Sequence, residues 1–178
     1  MKRNLLVFGC ALALAGLAMF QNERIERKTS VSAAGRPELK VESPVPVFTL
    51  MGLDGGEYKV GGAREKPLMV NFWASWCGPC REEAPALKQV YDRYKGQFDL
   101  YAVNVTRGDE LNAVRRFVKQ AQFSFPVLLD TSGEAADAYR LLFVPTSFLI
   151  DRQGRLKEVV HVLPPDQLED KIKRLIAS

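Results

Sequence analysis

The sequence of 178 residues predicts an α/β fold in which a central mixed β-sheet is flanked by helices. Apolar runs of strand length alternate along the chain with runs in which apolar residues recur every three or four positions. This alternation is typical of layered α/β domains. Two late apolar runs are separated by a short polar turn, which indicates an antiparallel pair within the sheet. Apolar residues make up 47% of the chain, enough for one domain with a substantial core.

The first stretch, residues 1–20, predicts a targeting segment outside the fold. Lys2 and Arg3 precede an apolar run over residues 5–20, as in a signal sequence or a membrane anchor. Small residues near the end of the run would permit cleavage, so removal and retention both stay open at this point. Cys10 is expected to be a small residue within the membrane segment and not a lipidation site.

Residues 21–43 predict a linker, because they are charged and lack an apolar period. Residues 44–178 are then the folded domain. Residues 1–42 carry seven Lys and Arg against four Asp and Glu, whereas the remainder carries eighteen against seventeen. The domain therefore lacks the basic excess typical of nucleic-acid binding, so no nucleic-acid partner is expected. The protein is also expected to be a monomer.

The domain is predicted to open with a β-hairpin. Residues 47–50 and 57–60 have strand character and flank the turn Asp54-Gly55-Gly56. A buried strand follows over residues 68–73, and the run from Arg81 to about Lys95 then has the spacing of a helix. The core-facing residues of this helix are expected to be Ala84, Leu87, Tyr91 and Tyr94.

The second half of the domain continues the alternation of strands and helices. The predicted elements are a strand over 99–105, a helix capped by Gly108-Asp109, a strand over 126–130, a short helix near 134–139, a hairpin of 147–150 and 158–161, and a last helix from Pro165. The buried positions are expected to be Leu111, Val114, Val118 and Ala121 in the middle helix, and Leu168, Ile172, Leu175 and Ile176 in the last one.

The two cysteines Cys77 and Cys80 stand where the buried strand over 68–73 gives way to a helix. Cysteines three positions apart at a helix start have Cα atoms within disulfide range, roughly 5–6 Å. The helix amides and dipole would also stabilise a thiolate on the first sulfur. A structural zinc site needs about four ligands, and besides this pair the chain has only Cys10 and His161. These considerations leave redox chemistry as the interpretation of the pair.

The Trp-Cys-Gly-Pro-Cys run at positions 76–80 resembles the signature of the thioredoxin superfamily. Val144-Pro145-Thr146 resembles the segment in which that superfamily places a cis-proline opposite the dithiol. Within the superfamily the chain is similar to the ResA/TlpA-like group, membrane-anchored extracytoplasmic thiol-disulfide oxidoreductases of cytochrome c maturation. The N-terminal hairpin, the central helix–strand insertion and the apolar segment over 1–20 carry this closer likeness. The resemblance implies a thioredoxin-like fold over roughly residues 44–178.

The resemblance, together with the helix-start geometry, implies different roles for the two cysteines. Cys77, expected to be the more exposed cysteine, would be the nucleophile, and Cys80 would resolve the mixed disulfide. The residues expected to contact the substrate are Trp76, Gly78, Pro79, Val144 and Pro145. No cofactor or metal is expected beyond the redox-active disulfide itself.

Asn71 departs from the cytoplasmic thioredoxins, which carry a buried aspartate at this position. An amide cannot exchange protons at neutral pH, so another group would have to serve Cys80. Glu83 lies three residues after Cys80 on the same helix side and matches a glutamate of the ResA-like proteins. Its partial burial would raise its pKa towards neutrality, whereas Glu82 is expected to be solvated.

The resemblance implies a reductant that acts outside the cytoplasmic membrane, with a single-pass N-terminal anchor. Its substrate would be the Cys-x-x-Cys-His disulfide of apocytochrome c, and its electrons would come from a membrane thiol-shuttle protein. A sporulation-linked disulfide reductase is an alternative. A thiol peroxidase is disfavoured because Ala74 replaces the threonine it needs. A Cu(I)-handling Sco-like protein would need three residues between the cysteines, and its histidine is expected elsewhere than His161.

Overall fold

The structure, a computed structural model, describes residues 39–178. The predicted anchor over 1–20 and most of the predicted linker lie outside the described residues. The strands are β1 (Phe48–Met51), β2 (Glu57–Val60), β3 (Leu68–Trp73), β4 (Asp99–Asn104), β5 (Val127–Leu129), β6 (Thr146–Ile150) and β7 (Leu156–Val160). The helices are α1 (Gly78–Tyr94), α2 (Leu111–Ala121), α3 (Glu134–Ala138) and α4 (Pro165–Ile176).

Five strands form one mixed sheet in the order β5-β4-β3-β6-β7. The central strand β3 pairs in parallel with β4 and antiparallel with β6, which confirms the predicted mixed sheet. Strands β1 and β2 form the predicted antiparallel hairpin as a separate small sheet. Helix α2 and strand β5 are the predicted insertion, and β5 extends the main sheet in parallel beside β4.

Strand β3 is buried along its whole length and sends alternate side chains to the two faces of the sheet. Leu68, Val70 and Phe72 belong to the core that also contains Tyr139 after helix α3. Met69 and Trp73 belong to the opposite core, which helices α1, α2 and α4 cover. Because Asn71 lies between Met69 and Trp73 in this period-two pattern, it faces helix α1.

The C-terminal ends of strands β3 and β4 lie at the same edge of the sheet because the two strands run in parallel. The turn that carries the cysteines follows β3, and a 3₁₀ turn over Thr106–Gly108 follows β4. Strand β6 runs the opposite way, so the segment before Thr146 arrives at this edge as well. The topology thus brings three separate connections together around the cysteines.

The predictions for helices α1 and α2 are confirmed in part and need two corrections. The helical spacing predicted from Arg81 extends back to Gly78, where the Cys77 sulfur caps helix α1, in agreement with the helix start expected at the cysteines. Leu111, predicted to be buried, is 39% exposed, and Phe117 takes its place in the core of helix α2. The side chain of Asp109 makes no capping bond to helix α2, whose N-cap is Glu110. The Asp109 carboxylate instead accepts hydrogen bonds from the amide and the hydroxyl of Ser75.

The end of the predicted linker contacts the domain. Leu39 packs against the core on the α3 side of the sheet. The backbone amide of Glu42 donates to the Leu156 carbonyl, and the Leu156 amide donates to the Ser43 carbonyl. Among residues 39–178, no helix combines the length and the hydrophobicity that crossing a bilayer requires.

Candidate active site

Cys77 and Cys80 form a disulfide at the start of helix α1, with their Cα atoms 5.3 Å apart. Cys77 is the N-cap of the helix and has extended backbone angles, so Cys80 lies in the first turn. Pro79 also lies in that turn, where its missing N–H removes no helical hydrogen bond. The local sequence therefore builds the redox centre with little help from distant residues.

The helix start surrounds the Cys77 sulfur with favourable partial charge. The backbone amide of Cys80 donates to Cys77 Sγ over 3.1 Å. This amide is one of the first-turn groups without an intrahelical acceptor, and it stabilises negative charge on the sulfur once the disulfide is reduced. Cys77 is 5% and Cys80 2% exposed, so in the disulfide form the predicted difference in exposure is small.

The segment before strand β6 lies against the disulfide. The Val144–Pro145 peptide bond is cis, as the resemblance implied, and the Val144 carbonyl oxygen lies 3.7 Å from Cys77 Sγ. Pro145 is buried, whereas Val144 is partly exposed. The hydroxyl of Thr146 donates to the Phe143 carbonyl over 2.9 Å and holds the segment in place.

Exposed apolar side chains border the disulfide on two sides. Trp76 is 64% exposed, and its indole N–H donates to the Gly108 carbonyl over 2.9 Å. Leu142 and Phe143 are 90% and 53% exposed just before Val144. Neither residue was among the site residues predicted from the sequence, although two large apolar residues directly ahead of a Val-Pro pair are a usable signal. Gly78 and Pro79 are exposed between these two sides.

Glu83 is buried on the inner side of helix α1, with 8% exposure. The side-chain amide of Asn71 donates to Glu83 Oε1 over 2.8 Å and to Ser147 Oγ over 2.9 Å. Asn71 and Ser147 are directly paired across β3 and β6, so both face the helix. Burial raises the pKa of Glu83 from 4.5 to about 7, and the hydrogen bond from Asn71 opposes this rise only in part.

A carboxyl group that titrates near neutrality can both accept and donate a proton under physiological conditions. Glu83 and Cys80 are three positions apart and both belong to the buried side of helix α1. Glu82, by contrast, is exposed. The structure therefore buries both Glu83 and Cys80 on helix α1 and adds Ser147 as a second partner of Asn71.

Two further side chains near the site have structural contacts. Trp73 is 1% exposed in the core, as predicted, and its ring packs on Phe117 with centroids 4.6 Å apart. His161 lies just after strand β7, where its ring packs on Phe143 at 4.6 Å and its Nδ1 is 3.3 Å from Thr146 Oγ1. Within residues 39–178, no three His, Cys, Asp or Glu side chains are grouped as metal ligands.

Comparison with known proteins places this geometry in a family. Residues 41–159 match the AhpC/TSA family. Thiol-disulfide oxidoreductase ResA of Bacillus subtilis is 36% identical over 128 residues, which are 71% of this chain and 70% of ResA. The crystal structure of StoA from Bacillus subtilis covers 72% of this chain and 97% of StoA, with a TM-score of 0.64 and 27% identity.

A thiol:disulfide interchange protein of the thioredoxin family from Chlorobium tepidum is also similar in structure. Its crystal structure covers 79% of this chain and 99% of that protein, with a TM-score of 0.69 and 26% identity. These likenesses confirm the thioredoxin-like fold and agree with a reversible Cys77–Cys80 disulfide at a helix start. The chain therefore belongs to the AhpC/TSA family of thioredoxin-like proteins, and within it to the thiol-disulfide oxidoreductases of the ResA type.

Proposed function

We propose that this oxidoreductase reduces disulfides of partner proteins on the extracytoplasmic side of a membrane, with Cys77 as the nucleophile. The observation that carries the proposal is the position of Cys77 Sγ, which accepts the Cys80 amide and lies 3.7 Å from the Val144 carbonyl. An extended partner segment can pair with the backbone beside Val144 while its sulfur reaches Cys77. The exposed indole of Trp76 and the exposed Gly78-Pro79 corner would border that segment.

The proposed reaction is a two-electron exchange between dithiol and disulfide. The Cys77 thiolate attacks one sulfur of the partner disulfide, whose S–S bond breaks and releases a partner thiolate. The Cys80 thiolate then attacks Cys77 Sγ, forms the Cys77–Cys80 disulfide and releases the second partner thiol. The partner gains two electrons, and the protein is oxidised to the state seen in the structure. A membrane thiol-shuttle protein would return the electrons.

Glu83 is the group we assign to proton exchange with Cys80. The Cys80 thiol must lose its proton before it can resolve the mixed disulfide, and this proton needs an acceptor in a buried site. Glu83 has a pKa raised to about 7 by burial, which suits it to take up that proton and release it in the next cycle. Asn71 orients the carboxyl group through its 2.8 Å hydrogen bond.

The client we propose is a protein disulfide such as that between the Cys-x-x-Cys-His cysteines of apocytochrome c. Support comes from the similarity to ResA and from the apolar run over residues 5–20, which suits a retained single-pass anchor. Similarity to StoA supports a second client class equally well, so the sporulation-linked reductase stays the alternative. The Gly78-Pro79 pair between the cysteines resembles reducing thioredoxins.

The client can be identified by trapping with Cys80→Ala. Without the resolving thiol, the mixed disulfide on Cys77 should persist and link the protein to its partner. We would use the full chain with Cys10→Ala, so that Cys77 is the sole thiol, and analyse membrane extracts by non-reducing electrophoresis and mass spectrometry. Recovery of an apocytochrome c that carries Cys-x-x-Cys-His would support the proposed client.

The matched control is the variant that lacks both Cys77 and Cys80, which should trap nothing. Trapping of other extracytoplasmic proteins without any apocytochrome c would contradict the proposed client while leaving the exchange chemistry in place. Trapping of cytoplasmic proteins alone would contradict the proposed location.

A further inference from the structure

Asp109 lies in the connection after strand β4, yet its carboxylate is bound to the turn that precedes the cysteines. Its Oδ1 accepts the Ser75 hydroxyl at 2.5 Å and the Glu110 amide at 2.8 Å. Its Oδ2 accepts the Ser75 amide at 2.6 Å and the Asn104 side-chain amide at 2.9 Å. Four donors thus converge on one carboxylate from three segments of the chain.

This arrangement requires a carboxylate in particular. All four partners are donors, and only an ionised carboxyl group presents two oxygens that accept without donating. Burial by itself raises the pKa of Asp109, but the hydrogen bonds from Ser75, Asn104 and Glu110 together hold the pKa below its usual value. Asparagine at this position has the same shape, but it would direct an NH₂ group at two donors.

The same connection also holds the exposed tryptophan next to Cys77. The Gly108 carbonyl, one residue before Asp109, accepts the Trp76 indole N–H over 2.9 Å. The Arg81 guanidinium donates to the Ser75 carbonyl over 3.2 Å, so Ser75 is held through its amide, its hydroxyl and its carbonyl. An indole that is 64% exposed therefore has a defined orientation beside the sulfur.

We propose that Asp109 is a positioning residue for thiol–disulfide exchange, which fixes the Ser75–Cys77 turn and thereby holds the Trp76 indole as a preformed contact surface for a partner polypeptide. A partner then docks on a side chain whose rotamer is already restricted, and binding costs less conformational entropy. This role concerns the exchange activity shared with the ResA-type relatives and does not depend on which client is used. Its failure would leave the proposed client untouched.

The test compares two substrates of different size with Asp109→Asn. For insulin, a protein disulfide, we expect kcat/KM to fall about tenfold, mostly through KM, because a charge-assisted hydrogen-bond network is lost. A small aromatic disulfide such as dithiobis(nitrobenzoate) does not need the indole surface, so its rate should change less than about twofold. If Asp109→Asn acted only by removing a negative charge near Cys77, the rates for both substrates would change alike. A larger loss for insulin than for the small disulfide therefore indicates a positioning role.

A spectroscopic readout follows Trp76 itself. The chain has only two tryptophans, so a ¹⁵N-labelled protein gives two indole N–H signals, and Trp76→Phe assigns them. In Asp109→Asn, hydrogen exchange of the Trp76 indole should accelerate about tenfold because its acceptor loop is released. The Trp73 indole serves as an internal control, since Trp73 is 1% exposed.

The matched control variant is Asp92→Asn. Asp92 also accepts a serine hydroxyl, from Ser124 at 2.6 Å, but it lies on helix α1 away from the active-site turn. Asp92→Asn should leave the rates with both substrates unchanged. If Asp109→Asn does not fold, Ser75→Ala removes one of the four bonds and should lower kcat/KM for insulin about threefold in the same substrate-selective way.

A double-variant cycle decides whether Asp109 acts through Trp76. Asp109→Asn should add no further loss for insulin once Trp76→Phe is present. Equal losses with insulin and the small disulfide, an undiminished effect in the Trp76→Phe background, or an unchanged KM for insulin would each overturn the proposal.

Discussion

Replacing Cys77 with alanine is expected to lower disulfide reduction by the full chain at least about a thousandfold. The Cys77 sulfur caps helix α1 and accepts the Cys80 amide at 3.1 Å. The helix start therefore stabilises the thiolate of Cys77 more than that of Cys80. Cys80 is the third residue of the helix and not its N-cap, so we do not expect it to replace Cys77 as the attacking group. The measurement is steady-state reduction of insulin with dithiothreitol as electron donor.

Two companion variants separate the roles of the cysteines. Cys10→Ala, in the apolar run outside the described residues, should retain the wild-type rate. Cys80→Ala should lose turnover but still form one mixed disulfide per molecule, visible as a single burst of released thiol. If Cys77→Ala keeps more than about a tenth of the wild-type rate, Cys77 is not the nucleophile and the division of roles is wrong.

Replacing Glu83 with glutamine is expected to remove a large part of the pH dependence of stability in the oxidised protein. Burial raises the pKa of Glu83 from 4.5 to about 7 in the folded state. Folding therefore favours the protonated carboxyl group, and the stability associated with it is fully present below about pH 4.5 and is lost as pH rises to about 7. The loss is about 3 kcal/mol in the free energy of unfolding, to order of magnitude.

Glutamine is uncharged at every pH but keeps an oxygen that can accept the Asn71 amide, whose hydrogen bond to Glu83 is 2.8 Å long. The stability of Glu83→Gln relative to the wild type should therefore rise between about pH 4.5 and pH 7 and then stay constant. Urea unfolding of the oxidised proteins at pH 4 and pH 8, followed by circular dichroism, measures it. Glu82→Gln is the matched control because Glu82 is exposed one residue earlier, and it should leave the profile unchanged.

The same variant tests the proposed proton exchange. In Glu83→Gln the pH dependence of Cys80 reactivity, measured as the rate of mixed-disulfide resolution, should shift, because the acceptor for the Cys80 proton is lost. A resolution profile identical to that of the wild type would rule out Glu83 as this acceptor. A stability curve parallel to that of the wild type from pH 4 to pH 8 would show that its carboxyl group is solvated.

Much of the fold was predictable because it follows from local pattern. The apolar run at 68–73 and the three-residue spacing of Cys77 and Cys80 are sequence properties, and they predicted the central strand and the redox pair. Helix α1 begins at Gly78 with the Cys77 sulfur as its cap, which agrees with the helix start predicted at the two cysteines. Leu111 was misassigned because a short amphipathic helix allows more than one apolar face, and Phe117 occupies the buried one.

The sequence by itself determined the strand–helix frame, the dithiol and the family resemblance, since these depend on residues close together in the chain. Only the tertiary structure decided which polar groups meet. Asn71 reaches Ser147 across 76 residues, Cys77 lies beside Val144 across 67, and Ser75 is bound by Asp109 across 34. The first contact joins residues paired across β3 and β6, and the other two arise because parallel β3 and β4 and antiparallel β6 bring their connections to one edge of the sheet. Strand pairing determines such contacts, and the local periodicity of apolar residues does not predict which strands pair.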